Sequence, residues 1–287
     1  MKVSIIIPTL GRKTMYFLVN NLLRQSFKLD YEIILIPQYP LKADLLNNDK
    51  IRIHYEPLSK GFAYYRNAGI KLSKGDIIVF IDDDEIPMDF NWLNTITKLI
   101  RNKEEQVVTA GVKIKLGQGY FTDSISLLGF PGGGAWGFEV IWPLREKDYT
   151  DHLCSGNMAI NKKALSKVGN FSEKMIYGSE DMDLGKKLLN AGMKIRYLKE
   201  ATVYHEARGS LAAFLRWNFA RGKSAASYMK IWEFLKRFST TTNVLIKIKK
   251  EKKHYFLGSL LMASIKHIAQ IEGFLLYKIN SKLFNKK

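Results

Sequence analysis

Four consecutive acids, Asp82, Asp83, Asp84 and Glu85, follow directly on the apolar run Ile77–Ile81. A run of β-branched and aromatic residues without a polar break reads as a central strand of a sheet covered on both faces. Open α/β sheets bind their ligands at the carboxyl ends of the strands, so the acids stand where a site would form. If the strand's pleat persists, Asp82 and Asp84 point to one side and can converge on one object. Converging carboxylates repel one another unless a positive charge lies between them. Hard oxygen donors suit Mg2+ or Mn2+, and Mg2+ is commonly held by one or two carboxylates plus substrate phosphates. The run alone fits equally well an acidic turn in which Pro87 ends the strand.

The elements that must position these acids follow from the apolar patterning. Residues 3–8 read as a buried strand, and Thr9-Leu10-Gly11-Arg12 as a turn into a helix over residues 13–26. A second strand over 31–36 ends at Pro37, a third covers 51–56, and a helical segment over 60–70 carries Arg66 and Asn67. After Pro87 come a helix over 92–99 and a strand over 107–114. Strands alternating with helices predict an α/β fold with a mostly parallel sheet. Residues 115–152 are rich in Gly and aromatic residues, which suits a mobile lid, an acceptor-binding surface or a plain irregular excursion.

A short strand over 154–160 and a helix over 162–168 come next. Ser179 is placed to cap a helix reaching about Ala191, so Glu180, Asp181 and Asp183 also have a purely structural reading at the positive end of its dipole. Two further strands, over 194–198 and 201–205, leave His205 at a strand end.

Taken in order, these segments resemble the inverting family-2 glycosyltransferases, which have the GT-A nucleotide-sugar-binding fold. The residues that carry the likeness are the strand from Val3 through Pro8 to Thr9, Gly61 with Arg66, Asn67 and Gly69, and Asp82-Asp83-Asp84 with Pro87. Gly156-Asn157, Gly169 to Phe171, Glu180-Asp181, Gly192 and His205 complete it. The resemblance covers residues 2 to about 206.

It implies a nucleotide-diphosphate sugar as donor, with Asp82 near the ribose and Asp84 on a divalent cation, Mg2+ or Mn2+, that bridges the diphosphate. Pro8, Thr9, Asn67 and Asp83 fall in the same nucleotide-binding set, and Arg66 is the cation expected near the diphosphate. Glu180 and Asp181 match the family's catalytic pair, with Asp181 as general base, and His205 is expected in the metal or diphosphate shell. The family usually has an acid after the second strand. Here Gln38 and Tyr39 stand there instead, and they leave the nucleotide base open.

The 287 residues carry a net charge of +18, yet residues 207–287 hold 17 Lys and Arg against three acids. The excess charge belongs to the C-terminal part, which suggests domains at 1–206 and 207–287. Two amphipathic helices are expected there, over 211–238 and 255–279, the second with Leu257, Leu261, Ile265, Ile268, Ile271 and Leu275 on one stripe. The basic run 247–253 lies between them. Such stripes suit either an anionic membrane surface or packing on the preceding domain. By resemblance, the acceptor is a saccharide or a lipid-linked group.

Cys154 is the only cysteine, which rules out an intrachain disulfide and suits a reducing compartment. No apolar run reaches eighteen residues, so the expected location is cytoplasmic, with the tail at the membrane face. A non-catalytic sugar-nucleotide-binding module is one alternative. A nucleic-acid-binding protein is another, opposed by the near charge balance of residues 1–206 and by an acid cluster that repels phosphates; no nucleic-acid partner is expected.

Overall fold

The computed structural model describes residues 1–41, 47–58, 60–130, 144–175 and 178–284. Among these, two compact units are distinguished. One comprises residues 1–113, 144–175 and 180–205, the other residues 114–130, 178–179 and 206–284. The second unit thus takes in a segment from the middle of the chain as well as the basic tail.

The first unit is built on one sheet. Its strands are β1 (Val3–Thr9), β2 (Tyr31–Pro37), β3 (Ile51–Ile53), β4 (Ile77–Ile81), β5 (Glu85–Pro87), β6 (Val107–Ile114), β7 (Tyr149–Thr150), β8 (Asn157–Asn161) and β9 (Ile195–His205). They lie in the order β3-β2-β1-β4-β8-β6-β9-β5, with β7 also on β9. Every residue of β1, β2 and β4 is buried, as near-continuous hydrophobic strands at the centre of a parallel sheet must be. The helices between them, α1 (Lys13–Leu23) and α2 (Phe62–Leu72), provide the crossovers. α2 seats closely on β1, since a Cβ at Gly69 would lie 2.3 Å from Ile6 Cγ2.

The expected parallel pairing holds for β3-β2-β1-β4. Beyond β4 the pairings of β8 with β4 and β6, and of β9 with β5 and β7, are antiparallel. β8 enters between β4 and β6 from a long excursion rather than through a crossover helix, and so runs against both. The helices α3 (Trp92–Arg101), α5 (Lys162–Val168) and α6 (Glu180–Asn190) complete the unit, around a core that includes Ile6, Ile34, Phe80, Met158, Leu165 and Leu188.

Two details differ from the sequence reading. The paired strands expected over 194–205 are one continuous β9, because the exposed Lys199 and Glu200 still lie within the strand. Ser179 has φ +72°, and its hydroxyl meets that of Ser224 at 2.9 Å. Of the Gly-rich stretch read as a lid, an acceptor-binding surface or an irregular excursion, residues 131–143 lie outside the described residues.

Asn157 is the polar hub of the antiparallel half. Its Nδ2 donates to the Gly111 and Ala201 carbonyls at 2.8 Å each, and its Oδ1 accepts from Trp92 Nε1 at 3.2 Å.

The second unit is helical: α4 (Tyr120–Ser126), α7 (Leu211–Tyr228), α8 (Ile231–Lys236), α9 (Phe238–Glu251) and α10 (Phe256–Phe284). Four helices stand where two were expected in the tail. The basic run 247–253 mostly finishes α9, where cations suit the negative end of the helix dipole. On α10, Leu257, Leu261, Ile268 and Leu275 are exposed, whereas Ile265 and Ile271 pack into apolar clusters. α7 and α10 meet through glycine: a Cβ at Gly222 would lie 2.1 Å from the Gln270 carbonyl oxygen, and one at Gly273 equally close to that of Phe219. No described helix is long and apolar enough to cross a membrane.

Asn157→Ala is expected to destabilise the protein by about 2–3 kcal/mol, because it strands buried polar partners; urea unfolding measures this against the exposed control Lys98→Ala. Gly222→Ala is expected to destabilise by about 1–3 kcal/mol, although alanine intrinsically favours a helix by about 1 kcal/mol. A gain in melting temperature would contradict the close helix contact.

Candidate active site

β4 stops at Ile81, and the chain then turns, with the Glu85 N–H donating to the Asp82 carbonyl at 3.1 Å. The pleat therefore does not continue through the acids, and Asp82 and Asp84 address different cations instead of converging. Asp82 accepts from Arg66 Nη2 at 2.8 Å. Asp84 lies 3.1 Å from Arg12 Nη1 and 3.3 Å from His205 Nε2.

Asp83, expected among the nucleotide contacts, is committed to the turn after β1. It accepts from the Thr9 hydroxyl at 2.7 Å, the Leu10 N–H at 3.1 Å and Arg12 Nη1 at 2.6 Å. The register explains this: Ile6 lies opposite Phe80, so three residues further on Thr9 reaches Asp83. Burial raises the Asp83 carboxyl above its usual range, and the opposing pull of Arg12 does not cancel it.

Glu85 lies opposite His205 in the β5 and β9 pairing and is 2% exposed. Burial, then the charges of Asp82 and Asp84, holds its carboxyl well above the ordinary range and so favours the neutral acid. Gly156 makes room for this group, since a Cβ there would lie 2.7 Å from Glu85 Oε1 and 2.9 Å from Asp82 Oδ2.

Arg66, the cation expected beside a diphosphate, is paired with acids of the protein itself. It is 2% exposed, and while Nη2 holds Asp82, Nη1 donates to Glu180 Oε1 at 2.6 Å. The Phe62 and Phe171 rings lie 5.7 Å from the guanidinium carbon. Burial works against its charge, but Asp82, Glu180 and Asp181 outweigh it and leave the guanidinium above its usual value. Arg66 is thus a bracket between the end of β4 and the start of α6. Asn67, also expected to touch nucleotide, is spent on the loop before α6, with Nδ2 on the Phe171 carbonyl at 3.0 Å and Oδ1 on its N–H at 3.2 Å.

Pro8 and Thr9 are buried at the end of β1, and the Gln38 N–H donates to the Thr9 carbonyl at 3.1 Å, so all three lie at the carboxyl ends of the neighbouring strands β1 and β2. Glu180 is buried on Arg66, whereas Asp181 is only half-buried, with one carboxylate oxygen accepting the Met182 N–H at 2.8 Å. Asp181 follows Glu180, the residue that Arg66 ties to Asp82. The Cys154 thiol is pushed up first by burial and then by Glu85, Asp181 and Asp82, so all three carboxylates act on one sulfur.

The sequence reading missed Arg12. It is the partly exposed cation of the site, and the signal was its place in the turn after β1, next to the strand that carries the acids. Among the described residues no three His, Cys, Asp or Glu side chains are grouped so as to hold a metal ion. Asp84 and His205 offer two donors, one carboxylate oxygen and one imidazole nitrogen, a set that Mg2+ or Mn2+ accepts when phosphate oxygens complete the shell.

The chain is similar to several known proteins. The chain is 26% identical over 181 residues to the pre-mycofactocin glycosyltransferase of Mycobacterium tuberculosis, a match over 61% of this chain and 36% of that one. The chain therefore spans about a third of that relative's length. The crystal structure of Staphylococcus aureus TarS 1-349 in complex with UDP superposes with a TM-score of 0.54 at 15% identity, over 99% of this chain and 92% of that one. GalNAc-T7 with UDP, GalNAc and Mn2+ gives 0.57 at 16%, over 89% and 58%. These likenesses identify the fold as GT-A. The model for the N-terminal domain of galactosyltransferase matches residues 140–208, the stretch that holds Glu180, Asp181 and His205. The model for glycosyl transferase family 2 matches residues 4–169, more than half of the protein, and the chain belongs to that family.

Proposed function

We propose that the protein transfers a sugar from a nucleotide-diphosphate sugar to an acceptor hydroxyl, with inversion at the anomeric carbon and dependence on Mg2+ or Mn2+. The observation that carries this reading is the Arg66 bracket, which ties the acid cluster at the end of β4 to the helix bearing Asp181. Family membership and the GT-A fold support it.

In this reading the nucleotide lies along the strand ends at Pro8, Thr9 and Gln38, and Asp82 takes the ribose. Asp84 and His205 hold the divalent cation, which when bound supplies Lewis-acid neutralisation of the leaving diphosphate. Arg12, partly exposed beside Asp84, adds a guanidinium suited to phosphate oxygens. Asp181 removes the acceptor proton on the face opposite the leaving group, so that one displacement inverts the centre. Glu180 and Arg66 position that helix, and Asn67 and Asp83 fix the neighbouring loops.

The acceptor is proposed to be a saccharide or a lipid-linked group. The exposed Leu257, Leu261, Ile268 and Leu275 of α10, together with the basic tail, support contact with an anionic membrane surface on the cytoplasmic side.

Asp181→Asn is expected to lower kcat by about 10²- to 10⁴-fold while leaving donor binding unchanged. Steady-state kinetics with a panel of nucleotide sugars measures this, and wild-type kcat in the variant would remove Asp181 as the base. EDTA is expected to abolish transfer, and Mn2+ to restore it. In Asp84→Ala the Mn2+-dependent thermal stabilisation by the donor should vanish; its persistence would move the cation elsewhere.

A further inference from the structure

The helical unit holds a cavity of about 150 Å3. Arg221 of α7, Arg237 at the junction of α8 and α9, and Lys266 of α10 all line it, and no Asp or Glu is among the described residues that do. Lys266 Nζ donates to the buried Thr241 hydroxyl at 3.4 Å, and Thr240 of the same helix turn also lines the wall. Trp217, over whose ring Arg221 lies at 4.7 Å, and Phe234 supply an aromatic collar.

We propose that this cavity is a binding site for the phosphate group of a small phosphomonoester, gripped by Lys266, Arg221 and Arg237, with the aromatic collar taking the group that carries the phosphate.

Three cations converging on one space raise its potential, and a compact anion with several acceptor oxygens satisfies all of them together. The volume is about five times a water's share of the liquid. That accommodates a phosphate with further atoms of the group that carries it. The titrating groups report the same field. Burial and the Arg221 charge bring the Lys266 ammonium down to about 8, and burial and Lys266 bring the neighbouring His267 down to about 4. His267 stacks on Phe238 at 3.9 Å and lies 3.0 Å from the Thr241 hydroxyl, so it holds that wall as a neutral ring.

Isothermal titration of the full chain with phenyl phosphate, against phenol as the uncharged control and without divalent cations so that the acid cluster takes no phosphate, tests the site. Lys266→Met and Arg221→Gln are each expected to weaken binding about tenfold, the worth of one charged hydrogen bond. Lys250→Met, an exposed lysine on α9 that does not line the cavity, should stay within about twofold. Because Arg221 is exposed, its variant keeps the test open should Lys266→Met fail to fold. Absence of phosphate-dependent heat, or equal losses in all three variants, overturns the proposal. Phosphatidylcholine vesicles doped with phosphatidic acid separate the two sources of phosphate: vesicle binding lost with Lys266→Met and kept with Lys250→Met assigns a lipid headgroup. Vesicle binding unchanged while phenyl phosphate binding falls assigns a soluble ester.

Discussion

A single buried guanidinium holds the candidate site together. Arg66 has almost no water around it, and Asp82 and Glu180 each take one of its terminal nitrogens, so its charge is balanced inside the protein. A buried ion pair of this kind contributes little net stability, yet removal of one partner leaves an uncompensated charge at a cost of about 3–5 kcal/mol. Its worth is therefore geometric. It sets the distance between the last residue group of β4 and the first turn of α6, and the rings of Phe62 and Phe171 keep the plane of the guanidinium from turning. The Asn67 clamp on Phe171 fixes that ring in turn.

Much of this could be read in the residues before any coordinates. The apolar runs that became β4 and β6 have the boundaries expected of them, and so does α5; Asp76 and Asp82 end β4 sharply, as Asn161 and Gly169 end α5. The order of segments pointed to the right family. What could not be read was direction. Strand pleating predicts that Asp82 and Asp84 face together, but the turn at Asp82 to Glu85 overrides it. Arg66 and Asn67 carry groups suited to phosphate, yet only the packing of α2 decides that they serve the protein's own acids and loops. β5 was hidden within an apparent acidic turn, since three residues carry no periodicity and their partner, β9, lies far along the chain.

The basic tail was misjudged in a related way. Its cations were counted, and their distribution over four helices was not foreseen. Apolar residues at helical spacing on α10 looked like one stripe, but glycine at 222 and 273 draws α7 so near that the inward face is set by backbone contact. Several of the larger side chains then remain outside, where they give the unit an apolar surface beside its lysines.

The separation of the site's parts along the chain carries a consequence for biosynthesis. Thr9 waits 74 residues for Asp83, and Arg66 waits 114 for Glu180. Long loops must close before these pairs can form, and such closure slows folding. As the polypeptide leaves the ribosome, the carboxylates at the end of the fourth strand emerge after Arg12 and Arg66 but well ahead of Glu180 and of the imidazole at the end of the ninth, so the site's charges are assembled in stages. The cleft is then among the last features to mature, and binding of any ligand there reports completion of the whole first unit.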